Sequence, residues 1–113
     1  MRVERELMRG AGPVAVLQLL KHGEMYGYQL VEAVSRKTDG VLAMGQSTLY
    51  PLLYNLEAKG LISGTWRTSE SGRKRKYYAL TTKGAAHLKE RRKQWHELIG
   101  AMEGLGLMDR KEG

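Results

Sequence analysis

The apolar positions of this chain change period along its length, and the changes mark out its elements. Val14, Val16, Leu17, Leu19 and Leu20 crowd the stretch Pro13 to His22, dense enough for a helix set deep in a core. Proline suits the first turn of that helix, and Gly23 closes it. Leu30, Val31 and Val34 stripe a second helix over Tyr26 to Lys37, with Arg36 and Lys37 at the negative end of its dipole. Asp39-Gly40 and Gly45 make the next stretch a loop. Leu49, Leu52, Leu53 and Leu56 then share one face of a third helix, which starts near Gly45 to Ser47 and ends at Gly60.

Beyond Gly60 the period shortens to that of strands. Leu61 to Thr68 and Lys76 to Leu80 alternate, and the Ser69-Glu70-Ser71-Gly72 break between them predicts a β-hairpin. Thr81 or Thr82 then caps a last long helix. The expected fold is mainly α with a small β-hairpin. Three helices followed by a ribbon form a winged helix-turn-helix DNA-binding domain over residues 1–80, and residues 81–113 supply one long C-terminal dimerisation helix and a short tail.

Composition narrows the function classes. The 113 residues suit one domain with a small core. A formal net charge of +7 favours a polyanionic partner such as nucleic acid. There is no cysteine, which removes disulfides and thiolate metal sites. No apolar run approaches a membrane span, and the first residues, MRVERELMRGAG, hold no signal-peptide core, so a cytoplasmic protein is expected.

The third helix opens with Gln46, Ser47, Thr48 and Tyr50, and Tyr54 follows one turn on. In a helix-turn-helix this end faces the base edges, where hydroxyls and an amide donate to bases or phosphates. Ordinary capping on a polar outer face explains the same residues equally well. Pro51 removes one helical hydrogen bond, at small cost if the helix starts at Ser47. Arg73, Lys74, Arg75 and Lys76 follow the tight turn at Gly72, and so dense a run calls for a neutralising polyanion. A wing beside a duplex meets that need, with cations on phosphates or an arginine in the minor groove.

The last helix carries Leu88, Trp95, Leu98, Met102 and Leu105 at heptad-like spacing, with Ile99 beside them, interrupted by Arg91 and Arg92. This seam predicts a two-fold dimer, with two recognition helices about one DNA turn apart on a pseudo-palindromic site. Trp95 serves either as a stacking surface for an aromatic ligand or as plain dimer core. His22, His87 and His96 are scattered, Glu90 and Glu97 sit among cations, and Ser71 lacks a local base. Neither a catalytic site nor a metal or cofactor is expected. Two other readings remain open: a winged-helix protein-interaction module, and a nonspecific nucleic-acid binder.

The stretches STLYPLLYNLEAKGLI and GRKRKYYALTTKG, with LMRGAGPVAVLQLLKHGEMYGYQL before them, resemble the PadR family of bacterial winged-helix transcriptional regulators. The likeness spans roughly Leu7 to Gly84. It implies a homodimeric, DNA-binding repressor of a nearby promoter, relieved in some members by a small, often aromatic molecule. By motif position it puts Thr48, Tyr50, Pro51 and Tyr54 on the recognition helix and Arg73 to Lys76 on the wing. Tyr28 matches a tyrosine whose hydroxyl reaches a phosphate. Tyr77 and Tyr78 match an aromatic pair of the second wing strand, one packed inward and one pointing out. Tyr26, Lys74, Gly45 and Gln46 depart from the family's pattern.

Overall fold

A computed structural model describes residues 3–108 of the chain; the end of the expected tail, 109–113, lies outside the described residues. The elements run α1 (Arg5–Leu20), β1 (Met25–Tyr26), α2 (Gly27–Lys37), α3 (Gln46–Ala58), β2 (Ile62–Thr68), β3 (Lys74–Leu80) and α4 (Thr82–Gly104). The mainly helical class with a hairpin is as the periodicity implied.

The first helix is longer than expected. It passes through Gly10, Gly12 and Pro13 instead of starting at the proline. Half-buried Met8 and buried Gly12 continue the buried stripe of Val16 and Leu19 at helical spacing, so packing outweighs poor local propensity. Leu30 and Val34 of α2 are buried as the stripe predicted, as are Leu49, Leu53 and Leu56 of α3, while Val31 and Leu52 are half-buried against that core. Apolar burial at about 25 cal/mol per Å² is the main term holding these helices together.

The end of α3 shows why the chain turns there. Gly60 takes a φ of 75°, which lets its own N–H bond the Glu57 carbonyl at 2.9 Å and the Leu61 N–H bond the Leu56 carbonyl at 3.0 Å. This Schellman closure sends the chain directly into β2. The hairpin strands pair antiparallel from Ile62–Leu80 to Thr68–Lys74, so β3 begins two residues earlier than the alternation suggested. A third strand joins them: Met25 pairs with Tyr78 and Tyr26 with Tyr77, giving the sheet order β1-β3-β2.

Thr81, the expected cap, starts α4. Its hydroxyl accepts from the Gly84 N–H at 2.9 Å and donates to the Gly60 carbonyl at 2.7 Å, anchoring the helix to the α3–β2 turn. The first turns of α4 then pack on α1. Leu88 was expected on a seam facing a second chain, but it is 2% exposed and belongs to this chain's own core. That burial is the correction: the free part of the helix starts after it, and Leu98, Ile99 and Leu105 are exposed while Trp95 and Met102 are half-buried. No helix among the described residues is long and apolar enough to cross a membrane.

Candidate nucleic-acid interface

With Leu49, Leu53 and Leu56 inward, α3 sorts its remaining side chains by helical angle. Ser47, Pro51 and Tyr54 form the outermost stripe, and all three are exposed. Gln46 and Tyr50 turn towards the sheet, where they line a cleft with Tyr28, Trp66, Tyr78 and the run Arg73 to Lys76. Thr48 is also exposed, but it borders a different groove, beside Leu52 and Asn55. The residues expected to read DNA thus lie together on one exposed side of α3, except Thr48, which sits at its far edge.

Pro51 is the sixth residue of a helix that starts at Gln46, two positions beyond the favourable first turn. Its ring leaves the Ser47 carbonyl without the usual donor, at an exposed end where water can bond it. Tyr50 lies with its phenol over Gly27, where a Cβ would come within 2.5 Å of the hydroxyl oxygen, so α3 and α2 meet closely at the mouth of the cleft. Tyr28, on the next position of α2, is exposed at the same mouth.

The cation run divides by strand alternation. Lys74, Lys76 and Tyr78 face one side of the sheet with Trp66, and Arg75 and Tyr77 face the other with Arg67. On this second side a stack forms. The Arg75 guanidinium sits 4.4 Å from the centre of the Tyr26 ring, and Arg67 sits 4.7 Å from that of Tyr77. The two rings meet edge to face at 5.5 Å, and Arg67 also pairs with Glu24. On the first side Lys76 donates to Glu57 at 2.9 Å, a bond that holds its ammonium pKa above the usual lysine value despite some desolvation. Burial likewise pushes up the phenol of Tyr78, the inward member of the tyrosine pair. Among the described residues Arg73 and Lys74 are exposed and have no acidic partner within ion-pair distance.

Sequence reasoning missed Trp66, Glu57 and the Tyr26–Arg75 stack. Trp66 is 66% exposed, and its place in the cleft follows from pairing with Lys76, which alternation alone would have shown once the register was known. Tyr26 had no such signal, because a two-residue strand carries no readable period. Among the described residues no group of three or more histidine and acidic side chains converges as a metal site.

Comparison with known proteins agrees with this geometry. Residues 16–90 match the transcriptional regulator PadR-like family. The chain is 37% identical over 102 residues to the transcriptional regulator Rv3488 of Mycobacterium tuberculosis, covering 90% of each. It is 33% identical over 93 residues to the transcriptional regulator YqjI of Escherichia coli, 82% of this chain, but spans only 43% of that longer protein. A crystal structure of a PadR family transcriptional regulator from Eggerthella lenta superposes with a TM-score of 0.77 at 36% identity, over 92% of this chain and 88% of the other. These relatives are regulators, not enzymes, and their likeness runs through the helices and the wing that build the cleft. The chain belongs to the PadR-like family and is a DNA-binding transcriptional regulator.

Proposed function

We propose that the chain is a homodimeric, cytoplasmic repressor that binds a pseudo-palindromic operator near its own gene and is released by a small planar ligand. Residues 1–80 are the DNA-binding unit in this reading, and residues 81–113 the dimerisation helix and tail. The observation that carries it is the cleft between α3 and the wing. One wall offers Gln46, Tyr50 and the adjoining stripe of Ser47 and Tyr54, and the other offers the cations Arg73 and Lys74, unpaired among the described residues. Hydroxyl, amide and phenol groups suit base edges, and free cations suit phosphates.

The dimer has its own support. A groove of about 730 Å³ runs between α1, α3 and α4, with an apolar floor of Met8, Leu17, Leu52 and Leu56. Arg5, Arg9, Lys59 and Arg91 make its lining basic. The C-terminal half of α4 and its cap residue have the complementary character, exposing Leu98, Ile99 and Leu105 beside Glu97 and Glu103. A second copy's helix fits such a groove by both apolarity and charge. Trp95 lines the same groove, so a planar aromatic bound there would stack on it at the edge of the dimer contact.

Fluorescence anisotropy of a labelled fragment from the gene's upstream region, run beside a scrambled fragment at two salt concentrations, tests the regulator. The upstream fragment is expected to bind tighter, with a steep salt dependence in both. Equal binding would reduce the protein to a nonspecific binder, and no binding by folded protein would favour a protein-interaction module. For the ligand, Trp95→Ala is expected to abolish fluorescence quenching by planar aromatics while operator binding persists. Unchanged ligand affinity in that variant would remove Trp95 from the site.

A further inference from the structure

We propose that Glu57 is the positioning residue that fixes the wing against the recognition helix, and that discrimination between DNA sequences depends on its contacts with Lys76 and Gly64. The inference rests on the DNA-binding reading and adds the residue that sets its geometry.

Glu57 lies in the last turn of α3, and its carboxylate reaches across to the sheet. One oxygen accepts from the Lys76 ammonium on β3 at 2.9 Å, and the other accepts from the Gly64 N–H on β2 at 3.2 Å. A single side chain therefore joins the recognition helix to both strands of the wing. Gly64 makes this possible. A Cβ there would collide with the Lys76 side chain and come within 3.0 Å of the Glu57 oxygen, so the bare backbone lets the lysine lie flat across the strand. The ammonium rests 5.4 Å from the centre of the Tyr78 ring, which closes the inner side of the arrangement.

A carboxylate at the border of a phosphate-binding cleft is unfavourable for binding as such, because it repels the ligand. Its bonds here are all spent inside the protein, between helix and wing. They hold Lys76 back from the solvent and leave Arg73 and Lys74 to project at the tip. With helix and wing tied at this point, the span from Gln46 and Tyr50 to the tip cations is fixed. Duplex phosphates also have fixed positions relative to the bases, so a fixed span rewards only the register in which both sets of contacts form. A loose wing would find phosphates on any sequence.

Charge and position therefore predict opposite results for Glu57→Gln. Loss of a negative charge alone raises affinity for every duplex, with the preference intact. Loss of the positioning bond weakens binding to the upstream fragment while binding to a scrambled one stays level or tightens. Anisotropy titrations of the full chain against both fragments, at one fixed salt concentration, measure the ratio. For Glu57→Gln we expect the ratio to fall by about tenfold or more. Gly64→Ala displaces Lys76 from the opposite strand and is expected to give the same fall, which guards against a folding defect in either variant.

A folded Glu57→Gln protein that keeps the parental ratio overturns the proposal, as does an equal loss on both fragments. If the parent itself binds both fragments alike, the reading of a sequence-selective regulator fails, and the positioning role goes with it.

Discussion

At the scale of single residues, the wing shows that a run of like charges is not a run of like functions. Arg73 and Lys74 have no acidic partner among the described residues, whereas Arg75 lies on Tyr26 and Lys76 on Glu57. Each phosphate contact releases counterions, so Arg73→Ala is expected to flatten the log–log salt slope of DNA binding by about one. Arg75→Ala is expected to change it less, and equal changes in the two would mean the stack opens on binding. Lys76 and Tyr78 make a pH prediction. Both hold their protons more firmly folded than unfolded, Lys76 through its bond to Glu57 and Tyr78 through burial. Stability linked to a raised value is complete below the unfolded pKa and is lost as pH rises through the folded one. The gap in melting temperature between the parent and Lys76→Met should therefore hold steady to about pH 9 and narrow above about pH 10.5. A gap that stays constant through the alkaline range would place its origin elsewhere.

At the scale of elements, what was legible in the sequence followed from period. The stripes of α2 and α3 and the alternation of β2 and β3 each repeat long enough to be read, and Thr81 and Gly60 mark their ends by chemistry. Where the reading fell short, the deciding contact was tertiary. The first turns of α1 look unfit for a helix, yet Met8 and Gly12 meet the core. Leu88 sits at a heptad position, yet this chain's own core buries it before any partner arrives. Glu57 gave no sign of its role, because its partners lie seven and nineteen residues away across a turn. The weakness of the α1 start is itself testable. Gly10, Gly12 and the missing N–H of Pro13 make that half of α1 easier to open, so its amides should exchange with solvent faster than those of Val16 to Leu20. Uniform protection along α1 would contradict this. Within α3, replacing the exposed Pro51 by alanine restores a donor to the Ser47 carbonyl and should raise the melting temperature. An unchanged or lower value would show that the proline is already accommodated.

At the scale of the whole molecule, the chain measures 52 × 30 × 27 Å, and α4 is its longest element. Its two candidate surfaces are separate: the cleft of α3 and the wing, and the groove of α1, α3 and α4 that a second copy would fill. Leu98→Lys together with Ile99→Lys puts charge on an exposed apolar stripe of α4 without touching the core. In light scattering after size exclusion this pair should shift the mass from twice the chain mass of 12.7 kDa towards that single value. A parent already at the single value would refute the homodimer. If the homodimer stands, DNA affinity should fall with the loss of the second half-site, since two linked contacts act as one binding event.

Both surfaces meet in one observable, the pattern of protection on DNA. The decisive measurement is a hydroxyl-radical footprint of the parent protein on the upstream region of its gene. Two cleft-and-wing units on one dimer predict a pair of protected patches centred about 10 bp apart, or a multiple of that, on a pseudo-palindromic sequence. A single patch, or faint protection spread evenly along the fragment, would contradict a dimeric sequence-reading regulator.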